Sequence, residues 1–337
     1  MKESEVARLW KKVAGGLGVV GISPLGLVLA AALGISGLFI KNDYILRLLT
    51  ISLLQGSQAV ALDFTTGFIG VVNFGFAGFA GLGAYTSALL ATRLGISPFI
   101  GLLAGGVAAG LLGLATGLLT LRLRGLFAAF MTWFLSLTLM SLITVNVGLT
   151  RGAKGLIVPP LFEGTNTRGY FYIALIAAVI GYIVMARVAN SHIGLAFRAI
   201  GQNLDVARAS GIDPTKYKVL NFSLSCTFAG VLGAILGHYV GILTPSVLSS
   251  DSTLVILTLS YVGGRGSLWG GLLAAFLFVP AFQGLQHLMA WRLVIYGLVL
   301  ILSMLFLPDG LADIYRRTMG RVLRSWVARK GHTPGLK

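Results

Sequence analysis

The chain has 337 residues, of which 56% are hydrophobic and only 11% are charged, and its mean hydropathy is +0.89. These proportions exclude a soluble domain and are typical of a protein whose solvent is lipid. The formal net charge of +16 comes from 26 Lys and Arg against 10 acidic residues. No nucleic-acid-binding module accompanies this charge, so we expect no nucleic-acid partner.

Apolar stretches follow one another from residue 24 to residue 307, and most are close to the roughly 20 residues that a bilayer-crossing helix needs. Because they are continuous rather than alternating, they predict an all-α helical bundle and not a closed barrel. About ten transmembrane segments are predicted, at 24–40, 44–62, 67–91, 97–120, 126–149, 170–188, 218–242, 252–264, 268–289 and 292–307. Basic residues precede the first, as in a signal peptide, but the later spans and the lack of a clear cleavage site favour a retained helix.

The basic residues are concentrated in a few of the predicted loops. They collect at the N-terminus, at Arg122 and Arg124, between residues 187 and 218, and in the tail. If the N-terminus is cytoplasmic, the alternation of ten spans places all these clusters on the cytoplasmic side, as the positive-inside rule requires. The predicted division is a cytoplasmic N-terminal amphipathic segment at 1–23, a transmembrane domain at 24–307 that includes a cytoplasmic segment at 190–217, and a basic cytoplasmic tail at 308–337.

Glycine, present at 46 positions, marks two places where we predict broken or re-entrant helices. One is the third span, in which glycines are dense between Gly67 and Gly83. The other is the apolar run before Gly263, which is short for a full crossing. Elsewhere, glycines four residues apart, such as Gly106 and Gly110, predict close contact between helix backbones.

One long polar stretch, at residues 190–218, separates two spans. Apolar residues recur in it at helical spacing, which predicts an amphipathic cytoplasmic helix. These residues are Ile193, Ala196, Phe197, Ile200, Leu204 and Ala207. Gly211 is expected to end this helix, and Asp213 and Pro214 are expected to begin the next one. From the pattern alone, the alternative is a helix that lies on the membrane surface.

Within this stretch, Asp205-Val206-Ala207 followed by Gly211-Ile212 is similar to the motif by which ABC importer permeases dock on their ATPases. The chain as a whole resembles the M-type permease subunit of the branched-chain amino-acid importer family. The matching stretches are ALDFTTGFIGVVNFGFAGFAGLGAYTSALL from Ala61, TLRLRG from Thr120, SHIGLAFRAIGQNLDVARASGIDPTKYKVLNFSLSCTFAGVLGAILGHYVGILTPSVL from Ser191, YVGGRGSLWGGLLAA from Tyr261 and MLFLPDGL from Met304.

This resemblance implies a subunit of an ATP-driven importer in the bacterial inner membrane, with both termini in the cytoplasm. The implied partners are a homologous second permease, two cytosolic ATPase subunits, a periplasmic or extracellular solute-binding protein, and membrane lipid. The chain has no GxxxxGK[ST] phosphate loop, so ATP hydrolysis is expected in the separate ATPases. We predict no catalytic residue, no metal and no cofactor.

The resemblance also implies a solute, most simply a branched-chain or other amino acid. Members of the family that carry urea or short amides leave a second solute class open. The chain departs from the family pattern at LTRGAKGL from Leu149, where solute would pass, so the family is better defined than its solute. A stand-alone secondary transporter or channel is the alternative of a different class, and it would favour paired intramembrane carboxylates.

Two sets of candidate site residues follow. The residues for ATPase coupling, implied by the resemblance, are Arg198, Asp205, Ala207, Gly211 and Ile212. The candidates for the solute path are Asn73, Gly75, Gly78, Tyr85, His238 and Tyr239, because polar groups and glycine backbone at membrane depth usually face protein or water. For Asn73 the alternative is a hydrogen bond between helices, and for Tyr239 it is a packed aromatic end.

Other polar or reactive residues have simpler interpretations. Asp63 either lines the path or caps the next segment, and Asn146 either lines the path or bridges helices. Cys226, the only cysteine, is predicted to be a small core residue. The four histidines are too far apart in sequence to suggest a metal site.

Overall fold

The computed structural model describes residues 24–121, 123, 125–162, 166–284, 291–306 and 310–312. Its helices are α1 (Pro24–Phe39), α2 (Asp43–Thr66), α3 (Phe76–Leu94), α4 (Pro98–Thr120), α5 (Leu126–Val145), α6 (Val147–Thr150), α7 (Thr167–Ala189), α8 (His192–Gln202), α9 (Leu204–Ala209), α10 (Pro214–Val240), α11 (Ser250–Gly263), α12 (Gly270–Gly284) and α13 (Trp291–Phe306). Two short strands, β1 (Leu156–Ile157) and β2 (Ile242–Leu243), pair antiparallel. The predicted all-α membrane fold is confirmed.

Each predicted span contains a described helix of at least 14 residues. Five of these, α2, α4, α5, α7 and α10, are long and apolar enough to cross a membrane by themselves. α11, with 14 residues, is about 21 Å long at 1.5 Å per residue, which is less than the roughly 30 Å hydrocarbon core. The predicted segment at 1–23, the arginines at 122 and 124, and the tail beyond residue 312 lie outside the described residues.

Both predicted helix breaks are present. The third span was predicted to be helical from residue 67, but α3 begins only at Phe76. The reason is local: Gly70 has a φ of +76°, and the Asn73 side chain accepts a hydrogen bond from the Gly75 amide (3.1 Å), which holds a turn there. At the second break, the chain passes from β2 through a 3-10 turn at Pro245–Leu248 before α11 starts.

The polar stretch between α7 and α10 forms two helices, α8 and α9, where the sequence predicted one. Asn203 causes the break, because its side-chain oxygen accepts hydrogen bonds from the amides of Asp205 (3.0 Å) and Val206 (3.1 Å) and so starts a new helix. The predicted ends are correct. Gly211 has a φ of +81°, and Asp213 caps α10 by accepting from the Thr215 amide (2.9 Å).

The centre of the bundle is a close packing of α3, α4 and α10. Gly83, Gly105 and Gly230, one from each helix, leave no room for a side chain on any of the three, because an added Cβ would overlap the backbone of a neighbouring glycine. Next to them, Gly110 lies against Thr227 of α10. The close backbone contact predicted from the glycine spacing is therefore present, and Cys226 is buried beside it as predicted.

The bundle has two ends. The strand end carries β1 and β2, and the α8 end carries α8, α9, the loop after α2 and the glycine loop between α11 and α12. Asp63, which is 2% exposed, joins two of these elements, because its Oδ1 accepts from the Gly266 amide at 3.0 Å. The Asp63 side chain therefore binds the glycine loop between α11 and α12, and it does not cap the segment that follows α2.

Candidate functional site

A cavity of about 350 Å³ lies between α2, α3, α10, α11, α12 and α13. This volume is within the range of roughly 300–1,000 Å³ that is usual for small-molecule sites. Its polar lining residues are Gln55, Gln58, Ser246, Ser249, Asp251, Ser252 and Gln283. The remaining lining is mostly aliphatic and aromatic, so the cavity has both a polar and an apolar wall.

The cavity lies near mid-depth of the bundle. Gln55 and Gln58 fall near the middle of the 24-residue helix α2. α11 begins at the same level, and Ser249, Asp251 and Ser252 bring its N-terminus to the cavity wall. Because Ser249 makes no side-chain cap, the positive end of this helix dipole is available to a polar ligand.

The Gln58 side-chain nitrogen and the Asp251 carboxylate, both on the cavity wall, have no partner among the described side chains. Gln58 is 2% exposed, and its side-chain nitrogen Nε2 makes no hydrogen bond there. A buried donor without a partner costs about 1–3 kcal/mol. Asp251 is exposed and lines the cavity, and no residue whose side chain the structure describes forms an ion pair or hydrogen bond with its carboxylate. The cavity thus offers hydrogen-bond donors and a negative charge to a molecule that enters it.

The N-terminus of α11 is held in place by two other helices. The Ala77 amide of α3 donates to the Thr253 hydroxyl at 3.1 Å. From α5, the Trp133 indole donates to the Ser250 hydroxyl (2.6 Å), and Ser136 donates to the backbone carbonyl that precedes Ser249 (2.8 Å). The geometry of this cavity wall therefore depends on the positions of α3 and α5.

The first three predicted path residues lie at the start of α3. Asn73 is fully buried and binds its own turn, while its Nδ2 has no partner among the described residues. Gly75 packs against the Thr132 carbonyl of α5, and a Cβ on Gly78 would lie 2.6 Å from the Ser136 hydroxyl. These residues set the spacing between α3 and α5, next to the cavity but not in its lining.

The other three predicted path residues lie together at the strand end. His238 is buried, with Nδ1 2.7 Å from the Pro159 carbonyl and Nε2 2.7 Å from the Ser87 hydroxyl. Because a carbonyl only accepts, Nδ1 is the donor and Nε2 accepts from Ser87. Tyr85 donates to the β2 backbone at 3.2 Å, and Tyr239 packs against another tyrosine ring. The structure thus divides the six candidates into two groups, and their contact with solute stays a prediction.

The candidate coupling residues are gathered at the α8 end. Asp205 and Gly211 are exposed, and so is Arg198, whose guanidinium lies 5.1 Å from the centre of the Phe68 ring. Ala207 is only 2% exposed, and its carbonyl accepts from the Ile212 amide at 3.0 Å. Ala207 therefore faces inward and supports the segment, while its neighbours face outward.

The outer face of α8 and α9 also carries apolar side chains. Val206 is 61% exposed and Leu195 is 59% exposed. On the inner face, Phe197 is fully buried and packs edge-to-face on Phe64 at the end of α2, with ring centres 5.6 Å apart. Gly201 packs directly on the backbone of the loop after α2. The amphipathic prediction is confirmed, and α8 is in contact with the loop that leads to α3.

Sequence reasoning did not single out Gln55, Gln58 or Asp251. A signal for the two glutamines exists, because residues three apart share one face of a helix and polar groups are unusual within an apolar span. Asp251 lies just outside the predicted span 252–264, and nothing around it in the sequence indicates that it lies beside α2.

The matching family and the LivM and LivH relatives are all described by branched-chain amino acid transport. The family described as "Branched-chain amino acid transport system / permease component" matches residues 44–304. The LivM permease protein of a high-affinity branched-chain amino acid transport system of Escherichia coli (strain K12) is 25% identical over 320 residues, covering 87% of this chain and 75% of LivM. The corresponding LivH protein is 25% identical over 189 residues, covering 51% of this chain and 60% of LivH.

A further relative, matched over a shorter stretch, is named for the transport of a sugar. The xylose transport system permease protein XylH of Haemophilus influenzae is 28% identical over 144 residues, covering 40% of this chain and 38% of XylH. No solved structure matches the chain significantly.

Proposed function

The chain belongs to the family of branched-chain amino acid transport system permease components, and from this membership we propose that the cavity between α2 and α11 is its part of a solute path. As a member it is a multi-pass membrane permease subunit of an ABC importer, and not an enzyme. The main support for this proposal is the cavity at mid-depth of the bundle, which has polar groups at the start of the short helix α11. Broken helices at membrane depth occur where they line a cavity or are buried in protein.

The proposed solute is a branched-chain or other amino acid. The LivM and LivH relatives are named for branched-chain amino acid transport, which supports this class. Urea or short amides are the second candidate. They are smaller and lack an apolar side chain, so the aliphatic and aromatic wall of the cavity favours the amino acid.

The proposed coupling surface is the outer face of α8 and α9. It combines charged side chains, Arg198 and Asp205, with the exposed apolar Val206, a mixture that suits a protein interface better than a solvated loop. We assign it to the cytosolic ATPases, two of which serve the complete importer. This assignment makes the α8 end cytoplasmic and leaves the strand end to face the solute-binding protein.

A second, homologous permease subunit completes the proposed path. Similarity to two different permease proteins of one bacterium, LivM and LivH, supports such a pair. The cavity of this chain then forms one half of the route, in a hetero-oligomer in the inner membrane.

Purification of the full chain with its natural partners tests this function. We expect a second permease and two ATPase subunits to co-elute, and the reconstituted complex to take up labelled leucine only with ATP and the loaded binding protein. Uptake by the purified chain alone, driven by an ion gradient, would instead make it a secondary transporter.

A further inference from the structure

Resting on the proposed solute path, we infer that Asp251 and Gln58 recognise the two charged groups of an amino acid in the cavity. Asp251 binds the ammonium group, and Gln58 donates a hydrogen bond to the carboxylate. The two residues belong to α11 and α2, which both line the cavity. Selection of a zwitterionic head group would therefore be a property of this chain.

Asp251 contributes a negative charge to the cavity wall. Its carboxylate lines the cavity, and no cation whose side chain the structure describes lies within ion-pair distance of it. Asp251 lies in the first turn of α11, at the end of that helix that reaches the cavity wall. An exposed carboxylate on the cavity wall can form an ion pair with an ammonium group, which a neutral amide or sugar does not offer.

Gln58 contributes a hydrogen-bond donor to the cavity wall. The nitrogen of a carboxamide only donates, so a partner of Nε2 has to be an acceptor. Since Gln58 is 2% exposed and Nε2 has no described partner, an entering acceptor would satisfy a group that is otherwise buried at a cost. The uncapped N-terminus of α11, at Ser249, adds backbone donors at the same wall. These donors suit a carboxylate.

The rest of the wall fits the remaining part of such a solute. Leu236, Ile256, Val279 and Phe282 line the cavity together with the polar groups. They offer an aliphatic side chain an apolar contact surface beside the binding site of the head group. The cavity is thus complementary to an amino acid with an apolar side chain in charge, hydrogen bonding and hydrophobicity.

The test uses the complete importer in proteoliposomes, with ATP inside and loaded binding protein outside. Asp251→Asn removes the charge at nearly constant shape, and Gln58→Met removes the donor at similar length. Each should lower the rate of leucine uptake at saturating binding protein about ten-fold, the size of effect that follows from losing a hydrogen bond to a charged group. ATP hydrolysis stimulated by the binding protein should stay near the unmodified rate, which damage to the fold would not allow.

Matched controls separate recognition from folding. Asp43→Asn makes the same change at an exposed aspartate in the first turn of α2, outside the cavity. Ser52→Ala removes a buried polar group of α2 that does not line the cavity. Both controls should transport normally, and Asp251→Glu, which keeps the carboxylate, should retain most of the uptake.

Two results would overturn the inference, and they are distinguishable. If the unmodified importer takes up leucine and both Asp251→Asn and Gln58→Met match it, recognition by these residues is wrong while the proposed function stands. If the unmodified importer carries urea or acetamide but no amino acid, the proposed solute class is wrong and the inference fails with it.

Discussion

The backbone amide of Ala77 donates a hydrogen bond to the Thr253 hydroxyl at 3.1 Å, and so joins the first turn of α3 to the first turn of α11. The loop that precedes α3 packs on Gly201 of α8, at the proposed ATPase surface. The hydrogen bond is therefore the last contact in a continuous connection from α8 to the cavity wall.

Loss of this contact should impair transport. Thr253→Val keeps the side-chain shape but leaves the buried Ala77 amide without its acceptor, which costs about 1–3 kcal/mol. We expect lower thermal stability and slower uptake, with ATPase binding unchanged. Thr258→Val is the control, because the Thr258 hydroxyl only donates to its own helix (2.7 Å). Equal behaviour of the two variants would remove Thr253 from the connection.

The exposed apolar side chain of Val206 provides a sharp test of coupling. Val206→Asp should abolish uptake with normal abundance in the membrane, because a charge would enter an apolar contact at the ATPase interface. Val206→Leu should remain active. Normal ATPase stimulation by the loaded binding protein in a complex with Val206→Asp would contradict the assignment.

Ala207 is expected to behave differently from Val206. It is part of the predicted coupling motif, but its side chain is 2% exposed, so Ala207→Arg should reduce abundance as well as transport. Quantitative immunoblotting of membranes separates the two effects. Full abundance of Ala207→Arg without transport would show that residue 207 contributes to docking directly.

Single cysteines in a Cys226→Ala chain test the orientation. Arg168, near the strand end, and Arg208, at the α8 end, are both exposed. A membrane-impermeant maleimide applied to intact cells should label Arg168→Cys but reach Arg208→Cys only after permeabilisation. The reverse pattern would invert the orientation and place α8 and α9 outside the cytosol.

Asn73→Ala distinguishes a structural role of Asn73 from contact with solute, through the stability of the protein and its selectivity among amino acids. Because its side chain binds the Gly75 amide and does not line the cavity, Asn73→Ala should lower stability by about 0.5–2 kcal/mol, as loss of a capping residue does. Competition among leucine, isoleucine and valine should be unchanged. Altered selectivity with unchanged thermal stability would instead place Asn73 in the solute path.

The helices were predictable because a backbone in lipid has to satisfy its own hydrogen bonds, which an apolar helix does. The two broken segments were predictable from their glycines and short apolar runs. The division between α8 and α9 was not predictable. It depends on the Asn203 side chain, which caps a new helix although the same residue could also have continued the preceding one. The cavity was not predictable either. It brings Gln58 and Asp251 together from distant segments, and apolar faces that meet protein look the same in sequence as those that meet lipid.

A thiol placed in the cavity shows whether solute passes through it. Gln55 lines the cavity and is half-buried, so Gln55→Cys in the Cys226→Ala chain should react with a small polar thiol reagent. We expect the reaction to stop ATP-driven leucine uptake in proteoliposomes, and we expect transported solute to slow the reaction. Complete modification with undiminished uptake would contradict the proposed solute path.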